Sequence, residues 1–146
     1  MNPAIQGRAY PPTAPYLVGR EKVKEFARAV FATNPINFDP DAARAAGHAD
    51  VVAPPTFPVV VQEHTLAQLL GDTDAGIDFG RVVHGDQRFQ YTRPIVAGDE
   101  LTAQLTVTAV KTLGGNSMVT ASTEISDAAG HHVVTATSTL VVRGDD

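Results

Sequence analysis

Two kinds of periodicity divide this chain of 146 residues. In the first half apolar residues recur with helical spacing, and in the second they alternate. From Arg20 they fall at Val23, Phe26, Ala27, Val30 and Phe31, an i, i+3, i+4, i+7, i+8 series that predicts one buried face of a helix. The Asn34-Pro35 step stops it, because the residue before a proline avoids the α region. Asp39 or Asp41 then caps a short turn through Ala46, which Gly47 closes. The strongest element runs from Thr56 to Leu70. Thr56 is the candidate N-cap, and Pro58 sits in the first turn, where its missing N–H costs little. Phe57, Val59, Val60, Val61, Leu66, Ala67, Leu69 and Leu70 cover most of the circumference, the mark of a buried helix. Val59-Val60-Val61 also suits a strand, but cap, proline and length favour a helix.

After Gly80 the period becomes two. Leu101, Ala103, Leu105, Val107 and Ala109 alternate with Thr102, Gln104, Thr106 and Thr108; a second strand runs from Met118 to Ile125. A third puts Val134, Ala136, Ser138, Leu140 and Val142 on one face, and Val82–Thr92 supplies a further strand. Gly114-Gly115-Asn116 and Asp127-Ala128-Ala129-Gly130 are turn chemistry, so this half is an antiparallel meander. Four of the ten prolines lie in residues 1–15, which read as an extended arm, and Tyr16-Leu17-Val18 reads as a short strand ended by Gly19. Helices first and strands afterwards predict an α+β fold. The sheet needs one face covered, and the helix 57–70 is the only adequate cover. The expected architecture is a hot dog, one domain over 1–146 with an antiparallel sheet wrapped around a long central helix.

Composition narrows the function. A net charge of −5 argues against a nucleic-acid partner, since phosphate neutralisation needs a basic face. No apolar run approaches the length of a membrane span. The N-terminus shows no basic region followed by an apolar core, so no secretory leader is expected. The chain has no cysteine, which rules out disulfides and thiolate chemistry and fits a reducing, cytoplasmic setting.

Three stretches carry a family resemblance: Val82-Val83-His84-Gly85-Asp86-Gln87-Arg88-Phe89 with Arg93-Pro94-Ile95-Val96-Ala97-Gly98-Asp99-Glu100-Leu101; Asn34-Pro35-Ile36-Asn37; and Val52-Ala53-Pro54-Pro55-Thr56-Phe57 opening the long helix. From about Gly7 to Arg143 the chain resembles the MaoC-like hot-dog dehydratases, in particular the N-terminal dehydratase half-domain of actinobacterial type. The resemblance implies acyl thioesters on acyl carrier protein or coenzyme A, and reversible loss of water from a (3R)-3-hydroxyacyl chain. No cofactor and no metal are implied. Dehydration needs a base for the C2 proton, an acid for the C3 hydroxyl and donors on the thioester oxygen. Catalytic members supply an Asp and a His within Gly-Asp-x-Asn-Pro-Ile-His, and a glycine N–H at the start of the central helix. In this sequence the aspartate position is Ala32, the histidine position Asn37 and the preceding glycine Phe31, while the helix-start glycine falls at Pro55, which has no N–H. Neither Ala nor Asn titrates near neutrality, so no catalytic residue of the family's kind is expected.

Sites of this family generally form where two protomers meet, which implies a homodimer or a heterodimer with a catalytic hot-dog subunit. The resulting expectation is a non-catalytic, acyl-thioester-binding subunit of a (3R)-3-hydroxyacyl dehydratase. Its substrate-binding candidates are Phe57, Val61, His64, His84 and Gly85. Two alternatives stand beside it: a homodimeric acyl-thioester binding or regulatory protein without chemistry, and a hydratase or thioesterase using His84 with Asp86. His64 also reads as a core histidine, and His84 as a strand histidine bonded to backbone. His131 and His132 point to opposite faces of a strand, against a shared metal. An acidic carrier protein would be repelled by an acidic chain, unless Arg81, Arg88 and Arg93 gather into a basic patch, a partner supplies one, or coenzyme A is the carrier.

Overall fold

The computed structural model describes residues 1–144. Five antiparallel strands form one sheet: β1 (Tyr16–Leu17), β2 (Val82–Tyr91), β3 (Glu100–Leu113), β4 (Asn116–Ser126) and β5 (His132–Val142), in the spatial order β1-β3-β4-β5-β2. Helices α1 (Arg20–Ala29) and α2 (Pro40–Ala45) precede the long helix α3 (Pro58–Gly71), around which the sheet curls in the hot-dog arrangement the sequence predicts. The β3–β4 hairpin turns at Gly114 and Gly115, both at positive φ (58° and 81°), the geometry whose twist matches paired strands. No helix among the described residues is long and apolar enough to cross a membrane.

Two apolar clusters flank α3. One surrounds its start, where Phe57 and Val61 meet Val23, Ile95, Leu101, Ile125 and Val134. The other surrounds its end, where Leu69 meets Ile5, Tyr10, Leu105, Val119 and Leu140. Between them lies a polar belt: Gln62 and Thr65 on the helix, Thr123 and Ser138 on the sheet, all buried. The belt departs from the expected all-apolar helix surface. Its atoms have partners, as burial requires: Thr65 Oγ1 meets Thr123 Oγ1 at 3.0 Å, and Gln62 Nε2 donates to Ser138 Oγ at 2.8 Å. Ala67, counted in the apolar surface, is exposed instead.

Four local expectations are corrected. Helix α1 ends at Ala29, well before Asn34-Pro35, because Phe31 takes a left-handed conformation (φ 59°). Val30 and Phe31 therefore leave the buried face, and Phe31 is 89% exposed. Thr56 is not the N-cap: the N-cap position falls on Phe57 in helical geometry, and no side-chain cap forms. Pro3–Ile5 winds into a 3-10 turn that buries Ile5, where extended chain was expected. Beyond it the arm lies along β3, with Gly7 N–H donating to Val107 O (2.7 Å), Tyr10 N–H to Leu105 O (2.9 Å) and Thr13 N–H to Ala103 O (2.8 Å). Arm and β1 thus cover the outer edge of β3. At the other end of the sheet β2 pairs only with β5, and no strand among the described residues lies on its outer side.

Candidate functional site

A cleft of about 490 Å³ opens where the start of α3 meets the end of β2. Ile36, Val52, Ala53, Pro55 and Pro94 make it largely apolar; Asn34, Asn37, Tyr91, Thr92 and Arg93 complete it. Asn37 is buried there and donates from Nδ2 to Val52 O at 2.7 Å. Val52 N–H returns a bond to Ile36 O at 2.9 Å, so the Asn-Pro-Ile-Asn loop is zipped to the strand-like segment ahead of α3. An amide in this place tethers the loop and neither gives up nor takes a proton near neutrality, so it does no acid–base work. Asn34 caps the same turn, its Oδ1 accepting from Ile36 N–H at 3.2 Å. Ala32 does not line the cleft. It follows Phe31, the non-glycine residue in the left-handed region that the motif otherwise fills with glycine.

Tyr91 had no place in the sequence reading. Its hydroxyl donates to Pro55 O at 2.6 Å, and burial pushes its phenol above the ordinary range. A tyrosine ending a strand that faces a helix-opening proline pair is the one signal that pointed to it.

Arg93 is engaged elsewhere. Its guanidinium forks onto Asp99 (2.8 and 3.1 Å) and reaches Asp127 at 3.3 Å. Asp99 also accepts from Val96 N–H at 3.0 Å, and Gly98 supplies the positive φ (96°) that lets the turn close. The Arg-Pro-x-x-x-Gly-Asp segment is therefore a clamp that ties the β2–β3 connection to the β4–β5 hairpin. Arg88 meets Asp86 at 2.9 Å, and Arg81 reaches Asp78 at 3.5 Å and Gly144 O at 2.8 Å. The basic patch considered for these three arginines is replaced by arginine–aspartate pairs.

The remaining candidates fall at opposite wings of the sheet. His84 and Gly85 lie on β2, exposed at the open edge. A bulge at Gly85 places His84 opposite Leu140 and Asp86 opposite Thr139, so their side chains take opposite faces. A Cβ on Gly85 would stand 3.2 Å from Val141 Cγ2, which explains why the bulge residue is the smallest one. Asp86 bonds Arg88, whereas His84 Nε2 lies 3.0 Å from Gln87 Oε1. The pairing of His84 with Asp86 expected for a hydratase is not made. Gln87 Nε2 in turn donates to Gln62 Oε1 at 3.0 Å, which links the open edge to the polar belt.

On the other wing Val61 and His64 line a second cleft of about 340 Å³ between α3 and the arm, with Tyr16 and Gln68. His64 is exposed, not a core residue, and its ring centroid stands 5.9 Å from that of Tyr16. Phe57 is fully buried, edge-on to Phe26 at 5.4 Å. The hydrogen-bonded group of Gln62, Gln87 and Ser138 was not foreseen from the sequence. A serine in the buried row of β5 was their visible trace.

Comparison with known proteins agrees with this geometry. The family model described as FAS1-like, dehydratase domain region, matches residues 4–136. A UPF0336 protein of Leifsonia xyli subsp. xyli is 73% identical over 146 residues, covering all of this chain and 98% of that one. Among solved structures, a chain of the C-terminally truncated HadBC (3R-hydroxyacyl-ACP dehydratase) complex from Mycobacterium tuberculosis superposes with a TM-score of 0.85 and 33% identity, over 94% of this chain and 96% of that one. A MaoC-like dehydratase superposes with a TM-score of 0.87 and 34% identity over 98% of this chain but only 43% of its own length.

Proposed function

Because the chain belongs to the FAS1-like dehydratase region family, within the hot-dog dehydratases, we propose that it is the acyl-thioester-binding, non-catalytic subunit of a (3R)-3-hydroxyacyl dehydratase. A second hot dog, carrying the Asp and His that this chain lacks, would complete the site. The observation that carries this reading is the cleft at the motif position. It is apolar, and its buried polar group is the Asn37 amide, which cannot take the C2 proton. Pro55, at its mouth, has no N–H for a developing enolate. The cleft can hold an acyl thioester but does not supply the family's Asp, its His or its helix-start donor.

The partner reading rests on two further supports. The outer edge of β2 is ten residues long and takes no strand from the described chain, a liability that proteins cover. The HadBC relative is a complex of subunits, and the MaoC-like relative continues well beyond the part this chain matches. The carrier is an acyl-ACP or acyl-CoA. With Arg88 and Arg93 neutralised by aspartates, docking of an acidic carrier protein would fall to the partner. His84 and Gly85 face the edge that a partner would close; Val61 and His64 would contribute to the acyl path through the arm-side cleft, and Phe57, fully buried, would support it from the core.

The test is a dehydration assay on (3R)-3-hydroxyacyl thioesters with the chain alone and co-expressed with a hot dog bearing an intact Gly-Asp-x-Asn-Pro-Ile-His. The isolated chain should not turn over at an enzymatic rate, since loss of an acid–base group removes roughly 10²–10⁴-fold each. The complex should turn over and lose activity when the partner's dyad is replaced. Robust turnover by the isolated chain, abolished by His84→Ala, would overturn the proposal.

A further inference from the structure

A chain of hydrogen bonds that starts at a backbone carbonyl fixes which nitrogen of His84 carries the proton. Ala136 O can only accept, and Gln62 Nε2 stands 3.3 Å from it, so the amide of Gln62 must present its NH2 there. The same NH2 reaches Ser138 Oγ. The Gln62 carbonyl is thereby turned toward Gln87 and accepts from its Nε2. That orients Gln87 as well, and its Oε1 faces both Ser138 and His84. Ser138, having accepted from Gln62, donates to Gln87 Oε1, which closes a three-membered ring with every bond running the same way round. His84 Nε2 lies 3.0 Å from that oxygen and must itself be the donor. A neutral imidazole has one N–H. Nδ1 is therefore left with its lone pair, on an exposed side chain at the open edge of the sheet, and no carboxylate among the described residues hydrogen-bonds the ring.

We infer that His84 Nδ1 is a built hydrogen-bond acceptor for an O–H or N–H group of the ligand, with Gln62, Gln87 and Ser138 as its positioning residues. Resting on the function proposed above, the acceptor is assigned to the 3-hydroxyl, the one O–H that the acyl portion of a 3-hydroxyacyl thioester carries, of a ligand held in the partner's site across the open edge of β2 and not in the cleft at Tyr91, which lies at the far end of the strand. The polar belt is then the inner end of a ligand contact, which explains why the buried face of α3 tolerates a glutamine between two apolar clusters. Burying that amide in place of an apolar side chain brings no gain in core packing.

Long-range ¹H–¹⁵N correlation spectra of the full chain, recorded above the ordinary imidazole pKa, read the tautomer directly. His84 should show the Nε2–H pattern with an unprotonated Nδ1. Gln62→Met and Gln87→Met should each shift it toward a mixture of tautomers, and Ser138→Ala serves as the milder variant if either fails to fold. An Nδ1–H pattern in the wild type, or no change in folded variants, overturns the positioning role. The chain is then titrated with a 3-hydroxyacyl-CoA and with the saturated acyl-CoA of equal length. Movement of the His84 Nδ1 resonance with the hydroxyacyl ligand alone supports the assignment. Equal movement with both removes the hydroxyl contact but leaves acyl-thioester binding standing. No binding of either, to the chain or to its complex with the partner, overturns the functional reading while the tautomer result stands by itself.

Discussion

The hydroxyl of Tyr91 donates to the carbonyl oxygen of Pro55 across 2.6 Å, joining the last residue of β2 to the turn that launches α3. Burial raises the phenol pKa, and the acceptor is a carbonyl that can do nothing for a phenolate. The folded state therefore favours the protonated form. The associated stability is complete below the unfolded tyrosine value near 10 and is lost as pH rises through the folded one. In a spectrophotometric alkaline titration Tyr91 should ionise late, as should Tyr10, which burial and the Asp72 carboxylate push up to about 12. Tyr91→Phe should remove one of these late steps and cost about 0.5–1.5 kcal/mol in urea unfolding.

Asp72 fastens the arm. It accepts from Tyr10 Oη and from Arg8 Nη1, both at 2.7 Å, and these bonds hold its carboxyl below the usual range. A carboxyl with a lowered folded pKa adds stability that is whole above its unfolded value, near 4, and drains away as pH falls toward the folded one. Asp72→Asn should lower the urea midpoint at neutral pH, and the gap to wild type should shrink steadily below pH ~4. A gap that is constant with pH would show that the charge of Asp72 contributes nothing, and no gap at all would show that the arm is held by its backbone bonds to β3 alone.

Phe31→Gly should stabilise the isolated chain. A side chain in the left-handed region costs roughly 1–2 kcal/mol, and Phe31 is too exposed to recover it by packing. The greater freedom of glycine in the unfolded chain takes back ~0.4–1 kcal/mol. Differential scanning calorimetry should show a midpoint raised by about 2–4 °C. A lowered midpoint would mean that the exposed ring makes contacts that stabilise the fold.

Val61→Trp separates core from ligand path. Val61 is 1% exposed and belongs to the cluster at the start of α3, yet it also borders the arm-side cleft. The added volume should overpack the cluster and cost ~1–3 kcal/mol; that loss without any change in chain-length preference would mark Val61 as core alone. Full stability together with selective loss of long-chain binding would instead place Val61 on the acyl path.

Parts of this molecule could be read along the chain because their physics is local. A half-buried sheet demands alternation, so Leu101 to Val107 and Val134 to Val142 declared their faces, whereas a bulge after Val107 turns Ala109, expected on the same face, to the other one. Asn37 and Pro55 were placed by motif spacing. Other parts depend on partners that no window contains. Gln62 is bonded to Ser138, 76 residues away, and to Gln87, 25 away; counting apolar neighbours along α3 could not show that its middle turn is polar. The prolines of the arm suggested extension but not the β3 edge that receives it. The helical spacing through Val30 and Phe31 was real, yet the backbone reversed at Phe31 before that spacing could be used.

The docked arm has a consequence for how this protein can multiply. A sheet with both margins bare can add neighbours in two directions and run on without end. Here the chain's own first residues occupy one margin, so strand addition is left a single direction. Any union made through β2 consumes the last vacancy on each participant, and growth halts at a pair. Deleting residues 1–13 would bare the second margin beyond the short stretch that β1 covers, and the same sequence would gain the valence of a polymer.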